Sequence, residues 1–437
     1  MAAEFQSIPF DPADARAALK QLPERTAVFA LYGEAANAEP YIGRTPNLRG
    51  RLERLLLPSP KHPRRLQLAG RVRRIEWRLT GSDFESLLLQ FNLLEEVYGE
   101  KCLERMHLGA PSFVRFLGSN PYPRVIVTNR PSQREADWAY GPFASRAAAE
   151  RFADEALKLF LLRRCVEDLD PNPSHPGCVY SEMKMCLAPC YQGCTDQRYG
   201  EEAEAVERFM ATRGESRLVQ LRTQRDEASA SLEFESAAAI HAQVQRAEAV
   251  RSLAPELVRP LSQLRAVILQ AAAEPDQAAV FLYEQGRLRG PAAFSSLGMR
   301  IQNEQSGSSS LYAQPMTLEP VPEEQETGIR EQGTERDEAT EGRRGERGKA
   351  GAARVARGVL EARLEAVLAE LVNQVELPNA AVRQGHLALL KRWYYRPEAK
   401  RPGEVFFPDD DSAWPVKAIL RGIGRIAAKS LTAAKTQ

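Results

Sequence analysis

Five of the six cysteines in this 437-residue chain lie within thirty residues, between positions 165 and 194. Their spacing is C-x12-C-x7-C-x3-C-x3-C. Thiols stay reduced inside cells, so such a cluster is more often a metal site than a disulfide framework. Four thiolates on a compact loop can hold zinc or an iron–sulfur cluster, and the alternative is a set of buried reduced thiols. The sixth cysteine, Cys102, stands alone and is expected to be an ordinary thiol.

Whether the cysteines bind a metal or form disulfides depends on whether the protein stays inside the cell, so membrane and export signals matter. No run of about 18 apolar residues is present, so we expect no membrane span. The N-terminus (1–10) has no positively charged region before an apolar core, unlike a signal peptide. We therefore expect a cytoplasmic protein that does not bind membranes, and no motif indicates a small-molecule substrate.

Basic residues are concentrated near the N-terminus. Lys and Arg number 59 and Asp and Glu 58, so the net charge of +1 indicates no particular partner. Between Arg44 and Arg78, however, eleven basic residues accompany only Glu53 and Glu76, which gives a net charge of +9. Such a patch can bind a polyanion such as double-stranded DNA, and it can equally be a solvated basic face.

Hydrophobic periodicity predicts an α+β chain of several domains. In the first hundred residues, apolar runs predict three strands, at 26–32, from Pro40 onward and at 75–79. Helical spacing predicts helices over 47–57 and from an N-cap at Asp83 to about Tyr98. The core side of the second helix is expected to contain Leu87, Leu88, Leu94 and Val97.

The remaining chain alternates between β, helical and polar segments. We predict β structure over 112–145, a helix over 145–162, helices over 196–252 broken near Gly214, and a hairpin of 278–284 with 287–294. Residues 303–350 are rich in Glu, Gln, Gly, Ser and Arg. They cannot bury enough apolar surface to offset the entropy of ordering, which predicts a disordered linker. An amphipathic helix over 355–375 and a tail of helices and turns follow.

A candidate phosphate site lies in the segment from Tyr41 to Arg51. Tyr41, Gly43, Arg44, Asn47 and Arg51 match the second half of a GIY-YIG nuclease motif, which this segment resembles. A glycine turn there exposes a phenol beside two guanidinium groups, which can grip a phosphate and stabilise developing charge. The alternative is an ordinary strand–turn–helix with surface arginines.

Two residues depart from the family's nuclease pattern. Phe29 stands where the family has a tyrosine, and Tyr32 is expected on the opposite face of the strand. Gln90 stands where the family has the glutamate that holds one catalytic Mg²⁺ or Mn²⁺ ion. Such ions prefer carboxylates, and without the ion no hydroxide nucleophile forms at neutral pH. We hypothesise that nuclease activity is weak or absent, since Glu85 lies on another helical face.

The cysteine segment resembles that of UvrC-type DNA excision-repair nucleases. The pairs Arg164-Cys165 and Pro189-Cys190 match the family pattern, as do the flanking segments 123–128 and 140–145. The resemblance implies a cluster of the four-iron type, with zinc as the alternative. Its ligands would be Cys165, Cys178, Cys186 and Cys190, and Cys194 would be spare.

Residues 232–240 resemble the UVR motif of the same family, a helix hairpin that binds UvrB. The resemblance implies that Phe234 fills a pocket on UvrB, as large aromatic side chains do at binding hot spots. The charged neighbours Glu233 and Glu235 would set register and orientation, and Leu232 would be a further contact residue. The alternative is an amphipathic hairpin with Phe234 packed internally.

The family continues into an RNase H-like domain and a tandem helix-hairpin-helix, and we expect this chain to lack the former. Residues 278–294 resemble the start of that domain, but no carboxylate set like that of the domain follows. We expect Asp409–Asp411 to form a loop. Residues 420–428 faintly resemble a helix-hairpin-helix turn. Residues 391–396 mix basic and aromatic side chains suited to stacking on DNA, or form a buried helix end.

The sequence thus predicts a UvrC-like repair protein that binds lesion-containing DNA with UvrB and incises one phosphodiester through a degenerate centre. The alternative is a catalytically inactive adaptor of a complete UvrC. The predicted regions are a lead-in (1–25), a GIY-YIG-like domain (26–105), a β segment with helix and cysteine cluster (106–200), a UVR-like hairpin (201–255), a β segment like the start of an RNase H domain (256–300), the linker (301–353) and a helical tail (354–437).

Overall fold

The computed structural model describes residues 5–35, 38–57, 68–297, 299–301, 318–319, 357–372, 378–409 and 412–435. Helices alternate with antiparallel sheets, which confirms the α+β class. The predicted linker (301–353) lies almost wholly outside the described residues. Within the described ranges, no helix is both long enough and apolar enough to cross a membrane.

The N-terminal unit, residues 5–105, is built on a four-stranded antiparallel sheet. Its strands are β1 (Gln6–Pro9), β2 (Ala27–Gly33), β3 (Tyr41–Thr45) and β4 (Val72–Leu79), in the order β1-β4-β2-β3. One face packs against α1 (Ala15–Lys20) and α2 (Leu48–Leu56), and it buries Phe29 and Trp77. The other face packs against α3 (Asp83–Tyr98), which is followed by α4 (Cys102–Arg105).

Capping residues set where these helices begin. The side chain of Asn47 accepts a hydrogen bond of 2.7 Å from the Gly50 amide, so α2 begins at Leu48. The predicted N-cap of α3 was wrong by one residue. Ser82 accepts the Glu85 amide at 3.1 Å, because its extended backbone presents the hydroxyl to the first turn, and Asp83 is the first helical residue.

The core side of α3 also differs from the prediction at one position. Val97 is exposed, whereas a stripe with spacings of three and four residues is buried, through Phe84, Leu87, Phe91 and Leu94. The stripe continues to Tyr98, which packs against the same core. An amphipathic helix buries the residues of one such stripe, and Val97 lies outside the stripe, so its side chain is exposed.

The middle unit contains a second antiparallel sheet, ordered β6-β5-β7-β8. Its strands are β5 (Ser112–Phe116), β6 (Val125–Thr128), β7 (Ala139–Phe143) and β8 (Arg259–Pro260). The helices of this unit are α5 (Arg146–Leu157), α6 (Val179–Glu182) and α7 (Asp196–Ala211). Helix α5 ends five residues before the predicted 162, and it packs on the sheet through Phe152, whose ring centroid lies 5.5 Å from that of Tyr140.

A helical hairpin of α8 (Glu215–Ala230) and α9 (Phe234–Ser252) follows. Gly214 has a φ of +88°, so the backbone turns between α7 and α8 at the predicted break. The hairpin interior is small and apolar, with Leu218, Leu221, Val244 and Ala247 buried together. Strand β8 comes after this hairpin, so a distant segment completes the middle sheet.

The C-terminal unit joins two segments that the sequence separates. Its sheet, ordered β11-β10-β9-β14, contains β9 (Ala266–Ala271), β10 (Gln277–Glu284), β11 (Arg287–Ser295) and β14 (Glu404–Phe406). A separate two-residue pairing joins β12 (Arg300–Ile301) to β13 (Leu318–Glu319). Helices α10 (Arg357–Val372) and α12 (Val416–Lys435) cover one face of the sheet, and α11 (Ala380–Tyr394) covers the other.

Three features of the tail are decided by this packing. Helix α12 runs uninterrupted through Gly422 and Gly424, so the faint helix-hairpin-helix interpretation is wrong; a Cβ atom on Gly422 would stand 2.7 Å from Phe406 of β14.

Trp393 is only 1% exposed and donates to the Pro402 carbonyl at 3.0 Å, so it ends a buried helix and does not stack on DNA. Asp409 lies in a turn, and Asp410 and Asp411 lie outside the described residues.

The N-terminal and C-terminal units share one hydrophobic core around α3. The ring centroid of Phe84 lies 5.1 Å from that of Phe281 and 5.4 Å from that of Trp393. A Cβ atom on Gly385 of α11 would stand 2.2 Å from the ring of Phe91, so the two helices are in close contact there. Helix α3 is therefore held between its own sheet and the C-terminal unit.

Candidate functional site

Phe29 of β2 lies opposite Gly43 of β3 in the antiparallel register. A Cβ atom on Gly43 would stand 2.8 Å from Cζ of Phe29, so the ring covers this glycine. The ring of Tyr41 lies alongside, with its centroid 6.1 Å from that of Phe29, and Tyr41 is 38% exposed. The structure thus brings these three residues together, with an accessible phenol at Tyr41 and no hydroxyl at Phe29.

Arg44 lies on the other face of the sheet from Tyr41, because residues three apart on a strand project to opposite faces. Its guanidinium contacts the carboxylate of Asp83 at the start of α3. The second oxygen of Asp83 accepts a hydrogen bond of 2.7 Å from Arg396, which follows α11. Burial alone would raise the pKa of Asp83, but the hydrogen bonds and charges of Arg396 and Arg44 outweigh it and lower the pKa below its usual range.

Sequence reasoning assigned Asp83 a capping role and missed this ion pair. Asp83 precedes Gln90 by seven residues, two helical turns, which places both on one face of α3 about 10 Å apart along the axis. The partner Arg396 gave no local signal at all.

Arg51 and Gln90 are half-buried on α2 and α3. In the part of the chain that the structure describes, neither side chain has a hydrogen bond or an ion pair, so both remain available to a ligand. Arg51 sits one turn after the α2 N-cap, on the helix that packs on the Tyr41 face of the sheet. Tyr41 and Arg51 are therefore candidates for a common phosphate contact, whereas Arg44 is engaged elsewhere.

Glu85 does not replace Gln90. Its buried carboxylate accepts the Gly81 amide at 2.8 Å and lies 3.9 Å from Arg78, so it caps the start of α3. Burial raises the pKa of Glu85, although the Gly81 amide and Arg78 act in the opposite direction. Tyr32 lies on the face opposite Phe29, as expected, with the guanidinium of Arg74 4.4 Å from its ring centroid.

The residues around Gln90 do not fit a hard divalent cation. Within the described ranges, no group of three His, Cys, Asp or Glu side chains is arranged to hold a metal ion. Gln90 supplies only a neutral amide oxygen, and Asp83 on the same helical face already binds two guanidinium groups. Mg²⁺ and Mn²⁺ prefer carboxylate oxygens, which the described residues around Gln90 do not offer to such an ion.

The four cysteines predicted as ligands line one pocket. Cys165, Cys178, Cys186 and Cys190 line a small pocket of about 10 Å³ together with Arg163 and Arg164, and Cys194 is not among the lining residues. Left-handed backbone at Ala188 and Gln192 flanks the 3-10 turn that carries Cys190. Cys102 is buried in the core shared by the N-terminal and C-terminal units, away from this pocket.

The charges around the pocket act in two directions. Burial and the neighbouring Cys165, Cys178 and Cys190 thiols, against the lowering effect of the Ala188 amide, together raise the pKa of Cys186 to about 11. Arg163 donates to Sγ of Cys165 at 3.4 Å. Arg164 has two buried nitrogens, Nε and Nη2, without a partner among the described atoms. A bound group that turns the thiols into thiolates would satisfy these cationic donors.

Four thiols with arginine N–H donors nearby are the kind of donor set that holds iron–sulfur clusters. Within the described residues, no group of three or more His, Cys, Asp or Glu side chains is arranged to hold a single metal ion.

The tip of the helical hairpin is apolar and exposed. Leu232 is 72% exposed with a φ of +63°, and Phe234 is 66% exposed at the first position of α9. Glu233 and Glu235 are exposed beside them. Phe234 therefore does not pack inside the hairpin, which was the alternative that the sequence left open.

The basic stretch between Arg44 and Arg78 is partly neutralised by acids from other segments. Arg49 pairs with Glu24 at 2.7 Å and Arg73 with Glu34 at 3.3 Å. Both acids lie outside this stretch, so the net charge of +9 counted along the sequence overstates the charge of this face. Positions 58–67 of the stretch lie outside the described residues.

Comparison with known proteins identifies the cysteine-bearing unit. Residues 113–209, which include all four pocket cysteines, match the family model of the UvrC/Cho excinuclease middle domain. The UvrABC system protein C of Ruminiclostridium cellulolyticum is 28% identical over 231 residues, which cover 52% of this chain and 37% of that protein. No solved structure matches the chain.

Two further relatives carry the same name. UvrABC system protein C of Symbiobacterium thermophilum is 26% identical over 300 residues, 68% of this chain and 46% of the relative. That of Shigella dysenteriae serotype 1 is 28% identical over 238 residues, 54% of this chain and 40% of the relative. The chain thus matches less than half the length of these relatives. In its middle domain and over these matches, the chain is similar to UvrC-type proteins.

Proposed function

We propose that this protein acts in nucleotide excision repair as a UvrC-type subunit that binds damaged DNA together with UvrB but does not cut it. The observation that carries the absence of cutting is the neutral Gln90 on the same face of α3 as Asp83, whose carboxylate is bound by Arg44 and Arg396. The missing hydroxyl at Phe29 supports it. The role in repair rests on the family of the relatives.

In this proposal the GIY-YIG-like domain serves as a phosphate-binding module. The exposed phenol of Tyr41 donates a hydrogen bond to a phosphate oxygen, and the guanidinium of Arg51 supplies a charge-assisted contact. Arg44 orients α3 through Asp83. These contacts position the protein on DNA without activating a water molecule, because Gln90 offers only a neutral amide oxygen and Asp83 is bound by two guanidinium groups.

A second candidate function is slow incision, and the retained Tyr41 and Arg51 favour it. The experiment that separates the two is incision of a lesion-containing duplex with UvrA, UvrB, ATP and either Mg²⁺ or Mn²⁺. The wild type is compared with the double variant Phe29→Tyr/Gln90→Glu. A matched control is Phe29→Tyr/Gln21→Glu, which introduces the same charge at an exposed position of the same unit.

Each outcome has one meaning. Cutting by the wild type refutes the binding role and establishes incision. Cutting by the Gln90→Glu double variant alone supports a nuclease fold retained for binding. If neither protein cuts, then loss of the protein from the UvrB–DNA complex in a Tyr41→Phe/Arg51→Gln variant supports the binding role, and unchanged binding refutes it.

The proposed cofactor is a four-iron iron–sulfur cluster held by Cys165, Cys178, Cys186 and Cys190. Bound there, a cluster would fix the long loop between α5 and α7 and could exchange electrons. Arg163 and Arg164 would supply hydrogen bonds and positive charge to its sulfur atoms, which stabilises the anionic form.

The proposed contact with UvrB is the hairpin tip. Leu232 and Phe234 present a small apolar surface at the turn, and Glu233 and Glu235 add negative charge around it. Aromatic side chains that enter a pocket dominate binding energies, while charged neighbours influence register and association rate. Phe234 would be the anchor, since it is the largest exposed apolar side chain of the hairpin.

A further inference from the structure

A cavity of about 510 Å³ lies where three parts of the molecule meet. One wall is the β6–β7 connection of the middle unit, with Asn129 and Arg130. A second is the β10–β11 turn, Gln285 and Gly286. A third is the first turns of α11, with Arg383 and Gln384. The cavity is separate from both the Tyr41 face and the cysteine pocket, and it extends to none of their residues.

The walls of this cavity are held in place by close packing. Gln285 and Gly286 both have left-handed backbone, with φ of +52° and +78°, which forms the tight hairpin turn. A Cβ atom on Gly286 would stand 2.8 Å from both Cγ and Cδ of Arg383, so the stem of this arginine lies directly on the turn. The β10–β11 hairpin thereby positions α11 at the cavity wall.

The cavity lining combines apolar, carboxamide and charged side chains. Its apolar lining includes Phe113 of β5 and Leu387 of α11, which are buried, and the partly exposed Pro131, Ala136 and Leu261. Three carboxamides line it as well, from Asn129, Gln285 and Gln384. Two arginines, Arg130 and Arg383, and one acid, Asp137, also line it. Cavities of roughly 300–1,000 Å³ with apolar walls and a few polar groups at the junction of domains are typical small-ligand sites.

We infer that this cavity binds one nucleotide unit, a planar base with its phosphate. Carboxamides present a donor and an acceptor side by side, which matches the edge of a nucleobase. The apolar wall suits the face of the base, and arginine binds phosphate oxygens in a bidentate manner. The nucleotide is either free in solution or displaced from a DNA strand, since both present the same groups.

Nucleotide binding in this cavity needs neither UvrB nor incision. Its test uses the full chain and two probes. The first probe is AMP, whose binding is measured by calorimetry. The second is an oligonucleotide duplex with 2-aminopurine opposite an abasic site, where the fluorescence of the base rises when it leaves the stack and changes again when it enters a protein cavity.

Matched variants locate the binding. Ser262 and Gln263 are adjacent exposed residues of the 3-10 turn Leu261–Gln263, and only Ser262 lines the cavity. Ser262→Trp fills the cavity, and Gln263→Trp is its control. Arg130→Gln removes a lining cation, and its control is Arg134→Gln at a nearby exposed position outside the lining.

We expect AMP to bind the wild type with a Kd of about 1–100 µM, and each cavity variant to weaken it at least about tenfold while the controls do not. A response of the 2-aminopurine duplex alone, lost in Ser262→Trp and Arg130→Gln, identifies the displaced nucleotide as the ligand. The inference is overturned if neither probe responds, or if the responses persist in both cavity variants. Arg130→Gln keeps the test decisive if Ser262→Trp fails to fold.

Discussion

Arg396 donates a hydrogen bond of 2.7 Å to Asp83 although 313 positions separate the two residues in sequence. The same carboxylate contacts Arg44 on β3. One ion-pair network therefore joins the GIY-YIG-like sheet, the helix α3 and the segment after α11. This network fixes the orientation of the helix that carries Gln90.

The first prediction concerns Asp83→Asn. The pKa of Asp83 is lowered in the folded protein, so its ion pairs stabilise the fold above the ordinary carboxyl pKa, and this stability is lost as the pH falls through the lowered value. We expect a loss of about 1 kcal/mol in the free energy of unfolding near neutral pH, since the pair is partly exposed. The difference from wild type should vanish at low pH.

Urea unfolding at several pH values measures this difference. Asp154→Asn is a suitable control, because Asp154 is exposed on α5 and forms no ion pair among the described residues. An Asp83→Asn protein as stable as the control at neutral pH would contradict a stabilising network.

The second prediction concerns Gly43→Ala. The added methyl group would overlap the ring of Phe29 at 2.8 Å, and this ring is fully buried and cannot move freely. Overpacking of this kind costs about 1–3 kcal/mol. Thermal unfolding should show the loss, and Phe29→Leu in the same protein should recover part of it, because the two positions are in contact.

A glycine with open surroundings provides the control. Gly200 lies inside α7, and no atom of another element would stand within 4 Å of a Cβ atom placed on it. Gly200→Ala should therefore raise stability by up to about 1 kcal/mol through helix propensity. If both alanine variants change stability alike, Phe29 does not restrict position 43.

The third prediction concerns the cysteine pocket. Protein purified without oxygen should contain about four iron atoms per chain and absorb visible light, as four-iron clusters do. Cys178→Ser should lose the iron and the absorbance, because one ligand of the pocket is gone. Cys194→Ser should keep both, since Cys194 does not line the pocket. One zinc atom per chain, or equal iron loss in both variants, would refute the assigned cluster.

The fourth prediction concerns the hairpin tip. Phe234→Ala should weaken binding to UvrB by at least about thirtyfold, the effect of losing a hot-spot anchor of about 2 kcal/mol. Val219→Ala provides the control, because Val219 is also exposed but lies on α8 away from the turn. Isothermal titration with UvrB measures both. Equal affinities of the two variants would exclude Phe234 as the anchor.

Several structural features could be predicted from the sequence because they depend on residues that are close together in the chain. The leucine spacing from Asn47 onward predicted α2, and the turn residues Gln285 and Gly286 predicted the β10–β11 hairpin. The resemblance of the cysteine segment to the UvrC-type family indicated the four cysteines that line one pocket. Each of these features depends on neighbours close in the chain. The departures at Phe29 and Gln90 were visible for the same reason.

Only the tertiary structure decided the rest, because it depends on partners far apart in sequence. Strand β14 exists because β9 offers an edge to pair with, and Gly422 stays inside α12 because the helix packs on that strand. The exposure of Phe234 and the pairing of Asp83 with Arg396 likewise follow from how whole units pack. Long-range packing selects among local conformations that are close in energy, and no local pattern records that selection.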